Sequence, residues 1–101
     1  MSGKLGIFVS SDRHLDHLLG IARAAHQAGK ELTVFLTHRG VLLTREPAFA
    51  QLEGLALVSL CQVNFSAWGL RRPVPGVAEE DFASQARHAA MIAGCDRYIV
   101  L

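Results

Sequence analysis

The sequence predicts an α/β fold, a three-layer α/β/α sandwich with a mostly parallel sheet of four to five strands, formed by residues 1–101 as a single domain. Two observations predict it. Short apolar runs rich in β-branched and aromatic residues alternate with longer stretches of helical periodicity, and that alternation implies βαβ crossovers. The chain of 101 residues is 50% hydrophobic, enough to build one core and too short for two.

Each element has its own signal. Leu5-Gly-Ile-Phe-Val9 is a first strand, too short for a helix and apolar enough to be buried on both faces. Ser10, Ser11 and Asp12 offer capping oxygens, and Leu15, Leu18, Leu19, Ala22, Ala25 and Ala28 then follow helical spacing up to Gly29, a good stop. Leu32-Thr-Val-Phe-Leu36 repeats the strand signature, and Gly40 marks a turn or loop beyond it. Pro47 to Gly54 suits one or two helical turns, with the proline tolerated in the first. Leu55 to Leu60 is the third strand, running into Cys61, and Gln62 to Trp68 starts a short helix that ends before Gly69. Pro73 and Pro75 make residues 71–76 a turn-rich loop. Glu79, Glu80 and Asp81 suit the positive end of a helix reaching Ala93, and Arg97 to Leu101 is the final strand.

Composition narrows the function. Ten Lys and Arg against nine Asp and Glu leave a net charge of +1, and apart from Arg71-Arg72 the cations are scattered, which disfavours nucleic acid as a partner. No stretch approaches the ~20 apolar residues of a membrane span, and the first residues do not form a signal-peptide core, so the expectation is a cytoplasmic protein with no membrane partner. Cys61 and Cys95 are then read as free thiols. The turn after the first strand lacks the glycines of a dinucleotide site, no Gly-Lys-Ser/Thr or C-x-x-C occurs, and a carboxylate cluster of the phosphoacceptor kind is missing. No metal or nucleotide cofactor is expected. His14 and His17 sit three apart on the first helix, but a metal would need further ligands beside them.

In an open parallel sheet, reactive groups gather beyond the carboxyl ends of the strands. Those positions hold Ser10 to His14, then Thr37, His38 and Arg39, then Cys61, Gln62 and Asn64. Cys61 is the strong nucleophile among them. At a strand's end and a helix's start, backbone N–H groups and the helix dipole favour a thiolate, although a cysteine beside a strand is also a common core filler. His38 can stabilise a thiolate or move a proton, Asn64 stands on the same edge, and Arg39 or Arg71 can favour an anionic sulfur by charge. Cys95 precedes the last strand at the opposite edge, where packing is the expected role.

Taken together, these residues resemble the DsrE/DsrF/TusD-like superfamily of small sulfur-relay proteins, which includes the YchN-type hexamers. The resemblance spans nearly the whole chain. It rests on the apolar first strand, Ala24-Ala25 and Gly29, Val34-Phe35-Leu36, Gly40-Val41, the strand ending in Cys61 with Gly69 beyond it, Pro75-Gly76-Val77 and Asp96-Arg97. The chain departs from the family in carrying Ala67-Trp68 just before that glycine, where relatives often place basic residues, and Arg71-Arg72 after it. The resemblance implies a persulfide on Cys61, sulfur donor and acceptor proteins as partners, and a homo- or hetero-oligomer, trimer or hexamer. Two alternatives stand beside this sulfurtransferase reading: a non-catalytic assembly subunit or binding module with Cys61 buried, and a peroxide-reducing thiol protein. Phe65 and Trp68 on the short helix, and the apolar loop Val41 to Leu43, are the expected interface.

Overall fold

The computed structural model describes residues 3–101, Gln85 by its backbone alone. Its strands are β1 (Lys4–Val9), β2 (Glu31–Leu36), β3 (Leu57–Cys61), β4 (Phe82–Ala83) and β5 (Arg97–Val100), and its α-helices are α1 (Leu15–Gln27), α2 (Gln62–Ala67) and α3 (Gln85–Ala93). The strands form one sheet of order β4-β3-β2-β1-β5. Every pairing is parallel, with Phe8 opposite Phe35, Phe35 opposite Ser59, and Cys61 opposite Ala83. The α/β class follows from why these residues form these elements: parallel strands need crossovers, and the helices between them supply the cover.

The two faces of the sheet are covered unequally. Alternate residues Ile7, Val9, Val34, Leu36, Val58 and Leu60 turn to one side, where they join Leu18, Leu19 and Ala22 of α1, Phe49, Leu52 and Phe65 in the main core. The opposite side carries Phe8, Phe35, Ser59 and, by the same alternation, Cys61. Here α3 provides the cover. Its His88 ring lies across two nearly parallel phenyl rings, 4.2 Å from Phe8 and 5.0 Å from Phe35 between centroids, and meets the Tyr98 hydroxyl at 2.7 Å. None of the described side chains of α3 is fully buried.

Several expectations are corrected. The stretch after β2 is not an open turn but a 3-10 helix, His38–Arg45, and Val41, Leu42 and Leu43 are buried in it rather than offered to a partner. Gly40 makes this possible, because a side chain there would meet the Val9 carbonyl oxygen at 2.1 Å, so the chain can pass directly against β1. A second 3-10 helix, Pro47–Leu52, fills the predicted helical turns, and β3 begins at Leu57 because Leu55 and Ala56 still donate their N–H groups to the Leu52 carbonyl. The helix expected from Glu80 is divided. Residues Glu79–Asp81 form a 3-10 turn, Phe82 extends to pair with Leu60, and the helix proper starts after Ser84. The buried Asp81 explains the break, since its carboxylate takes Arg87 at 2.7 Å instead of facing a helix dipole. α1 begins after His14 with no side-chain cap, because Ser11 accepts from the Arg13 N–H and Asp12 is taken by Arg39. Phe65 and Trp68 also part company: Phe65 packs edge-on against Phe82 in the core, while Trp68 is 45% exposed. No helix among the described residues is long and apolar enough to cross a membrane.

Candidate functional site at the carboxyl edge

Cys61 sits where the sequence places it. It is the last residue of β3 and the residue that caps α2, so the chain turns from strand to helix at its Cα. The register sets Leu36 beside Leu60, which brings Thr37 beside Cys61 at the end of the neighbouring strand. The thiol is free but only 4% exposed, and among the described residues no hydrogen bond reaches its sulfur. Burial follows from the surroundings: β4 pairs along one side, and α3 sets out across this face of the sheet within two residues of Ala83.

The predicted supporting residues divide into two groups. His38 and Asn64 come together, although not on the thiol. The Asn64 Oδ1 accepts the Thr37 hydroxyl and the His38 N–H, each at 2.9 Å, and so ties the end of β2 to α2. Trp68 completes the tie by donating its indole N–H to the His38 carbonyl at 3.2 Å. Arg39 pairs with Asp12 at 3.1 Å and lies 5.3 Å from the Trp68 ring, and its guanidinium holds the Asp12 carboxyl below its usual range. Arg71 is a correction. Among the described residues it makes no hydrogen bond, ion pair or ring contact, whereas its neighbour Arg72 is engaged on this side of the sheet. Arg72 lies over the Phe82 ring at 4.2 Å, pairs with Glu79 at 2.7 Å and donates to the Gln62 side chain, the residue that follows Cys61. The sequence alone could not choose between the two adjacent arginines; only the path of the chain before Pro73 decides which one reaches Phe82 and Glu79.

Cys95 lies at the other end of the sheet. Its sulfur is 3.7 Å from the Thr33 hydroxyl and fills the space above Gly6, where a Cβ would come within 2.6 Å. Packing accounts for it, and the topology keeps it from Cys61. His14 and His17 do meet, edge to face with centroids 5.6 Å apart, but no group of three or more metal-ligating side chains occurs among the described residues.

Beside α2 the edge opens into a cleft of 440 Å³ lined by His38, Arg39, Asn64, Ala67 and Trp68, and Cys61 is not part of its wall. Thr37 stands at the edge where the sequence lists it, whereas Trp68, expected in an interface, was not legible as a cleft residue, because its role depends on a hydrogen bond across elements rather than on any local pattern. Chemically the edge offers a shielded thiol on one side of Thr37 and a donor-rich, aromatic cleft on the other. No family model, curated protein or solved structure matches this chain, so its chemistry rests on this geometry.

Proposed function

We propose that the protein is a sulfur carrier of the sulfurtransferase type, which accepts a persulfide sulfur on Cys61 and passes it on. The observation that carries this reading is the placement of Cys61 at the strand-to-helix corner on the carboxyl edge of a parallel sheet, the position where α/β folds hold their reactive groups. The resemblance to DsrE-like relay proteins supports the same role. The step balances without an external oxidant. The Cys61 thiolate attacks the terminal sulfur of a donor persulfide, the donor's S–S bond breaks, the donor leaves as a thiolate, and Cys61 holds the transferred sulfur as its own persulfide. The reverse attack by an acceptor thiolate empties it. The partners on this reading are a sulfur donor protein and an acceptor protein in the cytoplasm, where thiols remain reduced.

Incubation with a low-molecular-weight persulfide, followed by intact-mass measurement, is expected to add one sulfur atom to the wild type and to Cys95→Ser but none to Cys61→Ser. Loading that persists in Cys61→Ser contradicts the reading.

The near-complete burial of Cys61 favours a second reading, a non-catalytic subunit or binding module in which the thiol is a core filler. Both readings expect assembly. Leu57, Tyr98 and Val100 remain exposed on the face that α3 covers only in part, and a homo- or hetero-oligomer, such as a trimer or hexamer, would bury them.

A further inference from the structure

His38 stands in the left-handed region with φ of 49°, a conformation that glycine enters freely and other residues only at a cost. Its backbone is held at both ends, the N–H by Asn64 and the carbonyl by Trp68. Histidine is among the side chains that enter this region more readily than most, and the turn leaves its residue exposed at the edge of the sheet. The polar groups around it share one character. With the Asn64 Oδ1 fixed by two donors, its NH2 group faces away from them and has no partner among the described residues. Arg39 gives its Nε and Nη2 to Asp12, at 3.3 and 3.1 Å, and its Nη1 has no partner among the described residues. The wall of the cleft is therefore a set of N–H donors and an imidazole set against the Trp68 indole and the Ala67 methyl.

We propose that this cleft binds a small organic anion that carries a planar ring. The anionic group sits on the Arg39 Nη1 and the Asn64 NH2, with the His38 imidazole beside it, and the ring lies against the part of the indole that the Arg39 guanidinium leaves open. The cleft wall itself carries N–H donors and no carboxylate, Asp12 reaching Arg39 from outside it, and such a wall selects an anion; charge-assisted hydrogen bonds to a guanidinium are the stronger kind. An aromatic wall selects a flat apolar body. Asp12 competes for Arg39, so binding is weak and sensitive to salt. The site does not use the Cys61 thiol.

Trp68 is the single tryptophan of the chain, so its emission reports on the cleft directly. Titrations with benzoate, with benzyl alcohol as the ring without the charge, and with acetate as the charge without the ring separate the two requirements. Benzoate is expected to give a saturable change with a millimolar midpoint, and the other two at least about fivefold weaker responses. His38→Gly relieves the strained turn, so it is expected to keep or raise the thermal midpoint while weakening benzoate about fivefold or more. Arg39→Gln, a surface change that does not disturb the turn, is expected to weaken it likewise. A benzoate response that does not saturate, equal responses to all three compounds, or undiminished binding in both variants overturns the proposal. The titration reads the cleft alone, so its failure leaves sulfur loading on Cys61 standing, and a failure of loading leaves the cleft standing.

Discussion

Gly40 sits where no side chain has room. An added methyl would meet the Val9 carbonyl oxygen at 2.1 Å, and that oxygen already accepts the Thr37 N–H at 2.9 Å at the end of β2. Gly40→Ala is therefore expected to lose about 2 kcal/mol or more, visible as a lower denaturant midpoint. Phe65 is the complementary case, a side chain whose removal leaves a void against Phe82 and β3. Phe65→Ala is expected to cost about 3–5 kcal/mol in the same measurement. At this scale the sequence was informative about Cys61, because a cysteine closing an apolar strand before a short helix is a local pattern. It was less informative about Phe65 and Trp68, which look alike in sequence although one enters the core and the other walls a cleft. The choice between Arg71 and Arg72 was hidden for the same reason: the contacts that decide it come from Glu79, Phe82 and Gln62, three separate parts of the chain.

Among the elements, β1, α1, β2 and the junction of β3 with α2 were legible because each is long enough to show its own period or carries a clear stop. The segment His38–Arg45 was not, since 3-10 geometry has no strong hydrophobic period and Gly40 reads as an ordinary turn signal. β4 is only two residues long and cannot show alternation, and the acids before it pointed to a helix start that Asp81 forgoes in favour of Arg87. α3 carries a pH dependence of its own. Burial against Phe8, Phe35 and Tyr98 holds the His88 imidazole below its ordinary 6.5, so the docked helix prefers the neutral ring. Its contribution is complete above 6.5 and is lost as pH falls towards the lowered folded value, because the undocked helix then binds the proton more readily. A protonated ring over phenyl faces recovers part of the penalty, about 0.5–1 kcal/mol, which keeps the effect modest. Hydrogen exchange corrected for intrinsic rates is expected to show weaker protection of α3 at about pH 5.5 than at about pH 7.5, and no such difference in His88→Phe. Equal protection in the wild type at both values contradicts the assignment.

For the whole molecule, the unequal cover of the sheet is the feature that sets behaviour. One face is sealed by α1, the two 3-10 helices and Phe65, whereas the other has α3 alone and leaves Leu57, Tyr98 and Val100 exposed. Sedimentation at micromolar concentration is expected to show a species heavier than the monomer, and Val100→Glu to weaken its association about tenfold or more. A monomer at high concentration contradicts assembly through this face. The parallel order of the sheet was implied by the alternation of strands and helices, but the uneven layers were not, since they depend on which helix the Phe8 and Phe35 rings receive. Cys61 lies on the thinly covered face, and a sulfur carrier needs this thiol to work in the folded protein. Alkylation under native conditions, mapped by peptide mass and compared with the same reaction in denaturant, reads whether it does. A sulfur carrier is expected to be modified at Cys61 in the folded state, and a thiol that reacts only after denaturation rules that role out.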